Sequence, residues 1–147
     1  MILKIFKSLW FLSLLALLAS LLYVYAWFAE APVVVFQEGL DRVELSRESF
    51  FYVVLGFATL VNSMVYLIKM LRRNDEALRA WFHGLVITIN LFAMIGIFLI
   101  NAFNSGERFD FNRIGFAVYG SLILVVLWAV AWPVIQLYRK FTVKSSV

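Results

Sequence analysis

The chain has 147 residues, 64% of them hydrophobic and 15% charged, with a formal net charge of +4 and a mean hydropathy of +0.92. Soluble domains run at about 45–50% apolar usage, so these figures exclude an ordinary water-soluble globule and indicate an all-α membrane protein, a single domain over residues 1–147. The lack of cysteine removes disulfides, thiolate metal sites, thiol catalysis and a lipoprotein anchor.

A helix needs about 20 mostly apolar residues to cross roughly 30 Å of hydrocarbon, and four segments meet that length. The first runs from about Ser8 to Phe28 and contains FLSLLALLASLLYVY, which lacks the alternation of a barrel strand. Lys4 and Lys7 before it, with Ala29 and Ala31 after it, imitate a secretory signal. The apolar run is longer than the roughly 7 to 15 residues of a signal core, so a retained helix is expected. Ser13, Ala16 and Ser20 offer a stripe of small residues for close helix packing.

Residues 30 to 50, EAPVVVFQEGLDRVELSRESF, interrupt the apolar pattern. Pro32 stops the helix, VVVF is a β-branched run, Glu38 and Gly39 mark a turn, RVEL alternates, and Ser46 can cap the next helix. The pattern predicts a β-hairpin over about 32–46. A lone hairpin is marginal in water and needs a surface to pack on. The later stretch RFDFN, with Phe109 and Phe111 on one face, has the same period-two pattern and is a candidate third strand.

The second span runs from about Phe50 to Ile68, with Gly56, Thr59 and Ser63 as its small stripe, and the third from about Trp81 to Ala102, with Gly84, Thr88, Ala93 and Gly96. Only KMLRRNDEALRA separates them, so they form an antiparallel pair. Asn62 lies eight residues before Met70 and Asn90 nine after Trp81, which places both roughly 12 to 14 Å from the same boundary. Two carboxamides at one depth on adjacent helices are expected to hydrogen-bond; with Ser63 and Thr88 they could instead line a small-solute path. The fourth span, about Ile114 to Leu137, carries Gly120 and Ser121 and contains Pro133, where a kink is expected.

Together these segments predict an antiparallel four-helix transmembrane bundle with a small hairpin cap between helices 1 and 2. One side of it holds nine Lys/Arg, from Lys4 to Lys144, against Asp75 and Glu76, while the other holds four Arg against seven acids. The basic side is the cytoplasmic one by the positive-inside rule, so both termini are cytoplasmic and the hairpin faces outward. The basic residues lie in three short juxtamembrane stretches, which suits stop-transfer and contact with anionic membrane lipids, not nucleic acid. Trp10, Tyr66, Trp81, Trp132 and Tyr138 near one boundary, and Tyr23, Tyr25, Trp27, Tyr52 and Tyr119 near the other, read as interfacial anchors.

No catalytic, cofactor or metal site is expected. The single histidine, His83, cannot supply a bis-histidine haem, and no His, Asp or Glu clusters with it for zinc. The serines and threonines of the spans have no neighbouring base to activate them.

The segments APVVVFQEGLDRVELSRESFF and FNSGERFDFNRIGF resemble stretches of known families. The first looks like the helix, Pro-Val start, strand-turn-strand and Ser-Arg pair of DUF1648-type bacterial membrane proteins and of SdpI-like immunity proteins, with Ala31-Pro32 where Leu-Pro is usual and without the usual aromatic-rich turn. The second is similar to a stretch of small four-span proteins of Bacteroidota. The resemblance implies a bacterial inner-membrane protein and transfers no catalytic residues. Two functions remain open. One is a non-catalytic accessory or assembly subunit of a larger membrane complex, docking other membrane subunits through its helix faces and its cap at Glu38, Asp41, Glu44, Phe109 and Phe111. The other is a self-contained small-solute transporter or envelope sensor using Asn62, Asn90, Ser63 and Thr88.

Overall fold

The computed structural model describes residues 1–31, 33–37, 42–106 and 110–144. Helix α1 spans Ile2–Trp27 and ends in a 3-10 turn over Phe28–Glu30; strands β1 (Val33–Gln37) and β2 (Val43–Ser46) follow, then helices α2 (Arg47–Leu71), α3 (Glu76–Asn104) and α4 (Phe111–Lys144). All four helices are long and apolar enough to cross a membrane. Each extends past its apolar window because the flanking polar residues continue or cap it. Ser46 Oγ accepts the Ser49 amide at 3.1 Å to start α2, and Asp75 Oδ1 accepts that of Leu78 at 2.9 Å to start α3. The first helix stops before Pro32, through the 3-10 turn, with Ala31 already extended. Pro32, Glu38, Gly39, Asp41 and Phe109 lie outside the described residues.

α3 is the hub. It packs along α1, α2 and α4, whereas α4 makes its helix contacts chiefly with α3. The bundle is therefore a three-helix core with α4 laid against one side, rather than four helices sharing one centre. The core lies in two apolar tiers. Leu17, Leu21, Val24, Phe28, Phe50, Ala58 and Ile97 fill the hairpin end, and Trp10, Val65 and Val86 fill the opposite, basic end. On α2 the buried face is Phe50, Ala58, Asn62 and Val65, so the expected stripe of Gly56, Thr59 and Ser63 points outward. Lipid tails match the core in polarity, and thus small size alone does not decide which face turns inward.

The hairpin is antiparallel, with Val33 opposite Ser46, Val34 opposite Leu45 and Val35 opposite Glu44, and an irregularity between Val35 and Gln37. Val34 is fully buried against the upper core tier. The free edge of β1 meets a side chain: Asn104 Oδ1 accepts the Val35 amide at 2.8 Å, and Asn104 Nδ2 donates to the Val35 carbonyl at 2.9 Å. Of the stretch expected as a third strand, the described residues 111 and 112 belong to a helix. Asp110 accepts the Asn112 amide at 3.1 Å and Phe111 opens α4, so alternation in FDFN gives way to a helix start. α4 then runs through Pro133 without interruption.

α3 and α4 meet at Gly84. A Cβ there would fall within the Trp128 ring, 2.6 Å from Cε2 and 2.8 Å from Nε1, whereas Gly56, Gly96 and Gly120 have open space. The indoles of Trp81 and Trp128 each donate to the other residue's backbone carbonyl, at 2.8 and 2.9 Å. Trp132 stacks on Trp81 with centroids 5.8 Å apart. A Gly84→Ala substitution should displace Trp128 and break this exchange, destabilising the protein by about 1–3 kcal/mol. Thermal melts of the purified chain in detergent measure the loss, and an unchanged melting temperature would show that the contact is slack.

Candidate functional site

Between the two apolar tiers lies a polar layer contributed by α1, α2 and α3. Asn62 and Asn90 are 4% and 1% exposed. They pair reciprocally, Asn62 Nδ2 donating to Asn90 Oδ1 at 2.9 Å and Asn90 Nδ2 to Asn62 Oδ1 at 3.0 Å. The remaining hydrogens are used as well. Asn62 Nδ2 donates to the Ala58 carbonyl at 2.8 Å and Asn90 Nδ2 to Ser13 Oγ at 3.0 Å, while Ser13 Oγ donates to the Trp10 carbonyl at 2.8 Å. Trp10 Nε1 donates to Asn62 Oδ1 at 2.8 Å. Both amide groups thus donate twice, and the Asn62 oxygen accepts twice, which is the full capacity of that group. Such an arrangement holds helices; a carboxamide of this kind has no free donor for a passing solute.

The other expected members of this site do not join it. Ser63 is exposed and bonds the Leu60 carbonyl, and Thr88 is buried but bonds Leu85 within its own helix. Trp10 and Ser13 complete the layer instead. Trp10 is no interfacial anchor: it is buried, with Tyr66 and His83 set edge-on at 6.0 and 5.7 Å. Depth counted from the span boundary did not single out Ser13, which lies five residues inside Ser8, about 7.5 Å, whereas the two asparagines lie eight and nine residues in. Asn104 carried a weak signal, a carboxamide at the helix end nearest the strand.

At the hairpin end, Glu44 is exposed and its Oε2 lies 2.7 Å from Arg42 Nε. Phe111 begins α4, its side chain outside the described residues, so of the expected docking residues only Glu44 has a described surface. A cleft of about 410 Å³ opens at this end between β1, α3 and α4, lined by Val35, Phe36, Ile100, Phe103, Val118 and Tyr119 among others. At the basic end, a cleft of about 210 Å³ is lined by Lys7, Trp10, Tyr66, Lys69, Arg79 and His83, together with Val65. His83 is buried, and its Nδ1 lies 2.6 Å from the Arg79 carbonyl. A carbonyl can only accept, so Nδ1 carries the proton. Among the described residues, no three His, Asp or Glu approach closely enough to hold a metal ion.

The fold and these sites define a helical protein with four helices long and apolar enough to span a membrane and a β-hairpin at one end. No family model matches the chain, and neither do curated proteins or solved structures.

Asn62→Leu and Asn90→Leu should each lower stability by about 1–2 kcal/mol, since either leaves buried partners unsatisfied. The double variant should cost less than the sum. A double-mutant cycle on thermal or denaturant unfolding in detergent measures the coupling, and strict additivity would mean that the pair contributes nothing jointly.

Proposed function

We propose that this chain is a non-catalytic accessory or assembly subunit of a larger complex in a bacterial inner membrane. It crosses four times as an antiparallel bundle, with both termini cytoplasmic and the hairpin in the periplasm. The observation that carries this reading is the placement of α4, which packs chiefly on α3. On its free side Ile123, Leu127, Val130 and Val134 are each at least half exposed. They follow one another at intervals of four, three and four residues, the spacing at which a helix of a second subunit interdigitates. The carboxamides of Asn62 and Asn90 are meanwhile consumed in holding α1, α2 and α3, which favours a structural part over a solute path.

Lipid and protein neighbours differ in what they tolerate. Lipid tails accommodate a larger apolar side chain, whereas a packed helix interface does not. Leu127→Trp and Val130→Trp should therefore leave the melting temperature of the isolated chain unchanged but remove a stoichiometric co-purifying subunit from native membranes extracted in mild detergent, as read by native mass spectrometry. A wild-type chain recovered alone, or partner recovery unaffected by both substitutions, would overturn the proposal.

Orientation has its own test. A reporter fused after Val147 should be cytoplasmic and one inserted at Gly39 periplasmic. The opposite signal at one site alone excludes the four-span arrangement, and the opposite signal at both overturns the proposed orientation.

A further inference from the structure

The basic end contains a buried guanidinium with an unused donor. Arg79 sits in the first turns of α3 and is only 8% exposed. Its Nη1 donates to the Arg73 carbonyl at 2.9 Å, but its buried Nε has no partner. Burying an arginine is costly unless its charge and donors are answered. Side chains of Lys7, Lys69 and Arg79, from three helices, line one cleft of about 210 Å³, and among the described residues none of them has a carboxylate partner.

The walls of that cleft are fixed. His83 bonds back onto the Arg79 carbonyl and holds the helical turn carrying the guanidinium, while Trp10 packs edge-on against the imidazole and is itself anchored to Asn62. Lys7 and Lys69 are exposed at the rim, one from α1 and one from α2. The volume equals about seven waters at roughly 30 Å³ each, room for one phosphate group with the start of an ester chain.

We infer that Arg79, Lys7 and Lys69 form a discrete binding site for a phosphate group, either that of an anionic lipid headgroup or free phosphate. Arginine pairs with phosphate through directed, charge-assisted bonds, and flexible lysines add charge at the rim. The site differs from general attraction of basic loops to an anionic surface, because its central donor is enclosed. It does not depend on the chain having a protein partner.

The test uses the full chain in phosphatidylcholine nanodiscs, with its melting temperature followed by tryptophan fluorescence. Inorganic phosphate is titrated against chloride at matched ionic strength; separately, phosphatidic acid is doped into the bilayer. Occupancy of a site in the folded state should raise the melting temperature saturably. Stabilisation by both probes supports the site with either source, by phosphatidic acid alone assigns it to lipid, and by inorganic phosphate alone assigns it to the free ion.

The Lys7→Gln/Lys69→Gln double variant changes only exposed side chains and should weaken the effect by about tenfold or more, as expected for lost charge-assisted bonds. Arg79→Gln should abolish it; if that variant does not fold, the lysine variant decides. No stabilisation by either probe, or stabilisation that the lysine variant retains in full, would overturn the inference.

Discussion

A carboxamide enclosed in an apolar interior loses several kcal/mol when its donors stay unpaired, and this cost organises the packing of α1, α2 and α3. Asn62 and Asn90 avoid it by facing each other, with Ser13, Trp10 and the Ala58 carbonyl taking what remains. The geometry works in one register only. Sliding α2 along α3 by a single turn, about 5.4 Å, would strand both amides at once. Apolar contacts in a lipid-like setting are nearly interchangeable, so the polar layer, more than the tiers above and below it, specifies how α1, α2 and α3 align.

The fourth helix is held by different means. Gly84 allows the Trp128 ring to lie against α3, and the exchange of indole bonds with Trp81 pins the two backbones. Phe6 of α1 meets Trp128 with ring centroids 5.8 Å apart, the point at which α4 also touches α1. These contacts cluster towards the basic end of α4. Clefts flank α4 at both ends: one of about 630 Å³ at the basic end, lined by Phe6, Trp81, Trp128 and Trp132, and two of about 410 and 450 Å³ towards the hairpin end.

Much of this could be read in the sequence. Hydropathy located the helices because length against bilayer thickness is a strong constraint, and the short α2–α3 connection fixed the relative depths of Asn62 and Asn90. What stayed hidden has a common cause. In a chain this apolar throughout, composition does not separate the core face from the lipid face, so Gly56, Thr59 and Ser63 looked as suitable for packing as Ala58 and Val65. Trp10 had the position of an interfacial anchor, and only the structure shows its indole turned inward to Asn62. Phe109 and Phe111 alternated as a strand would, but the Asp110 cap starts a helix at Phe111. The burial of Arg79 is likewise invisible in a sequence, which records charge and not enclosure.

The bond pair between Asn104 and Val35 makes one side chain play the part of a missing strand. It also ties the hairpin to the azimuth of α3. Asn104 lies fourteen residues beyond Asn90 on the same helix, about 21 Å along the axis and close to four full turns, so the two amides project within roughly 40° of each other. One engages the hairpin and the other engages α1 and α2. A twist of α3 about its own axis cannot release either grip without straining the other. The helix therefore behaves as a keyed shaft, and a torque applied at the hairpin is resisted at the polar layer, deep within the bundle.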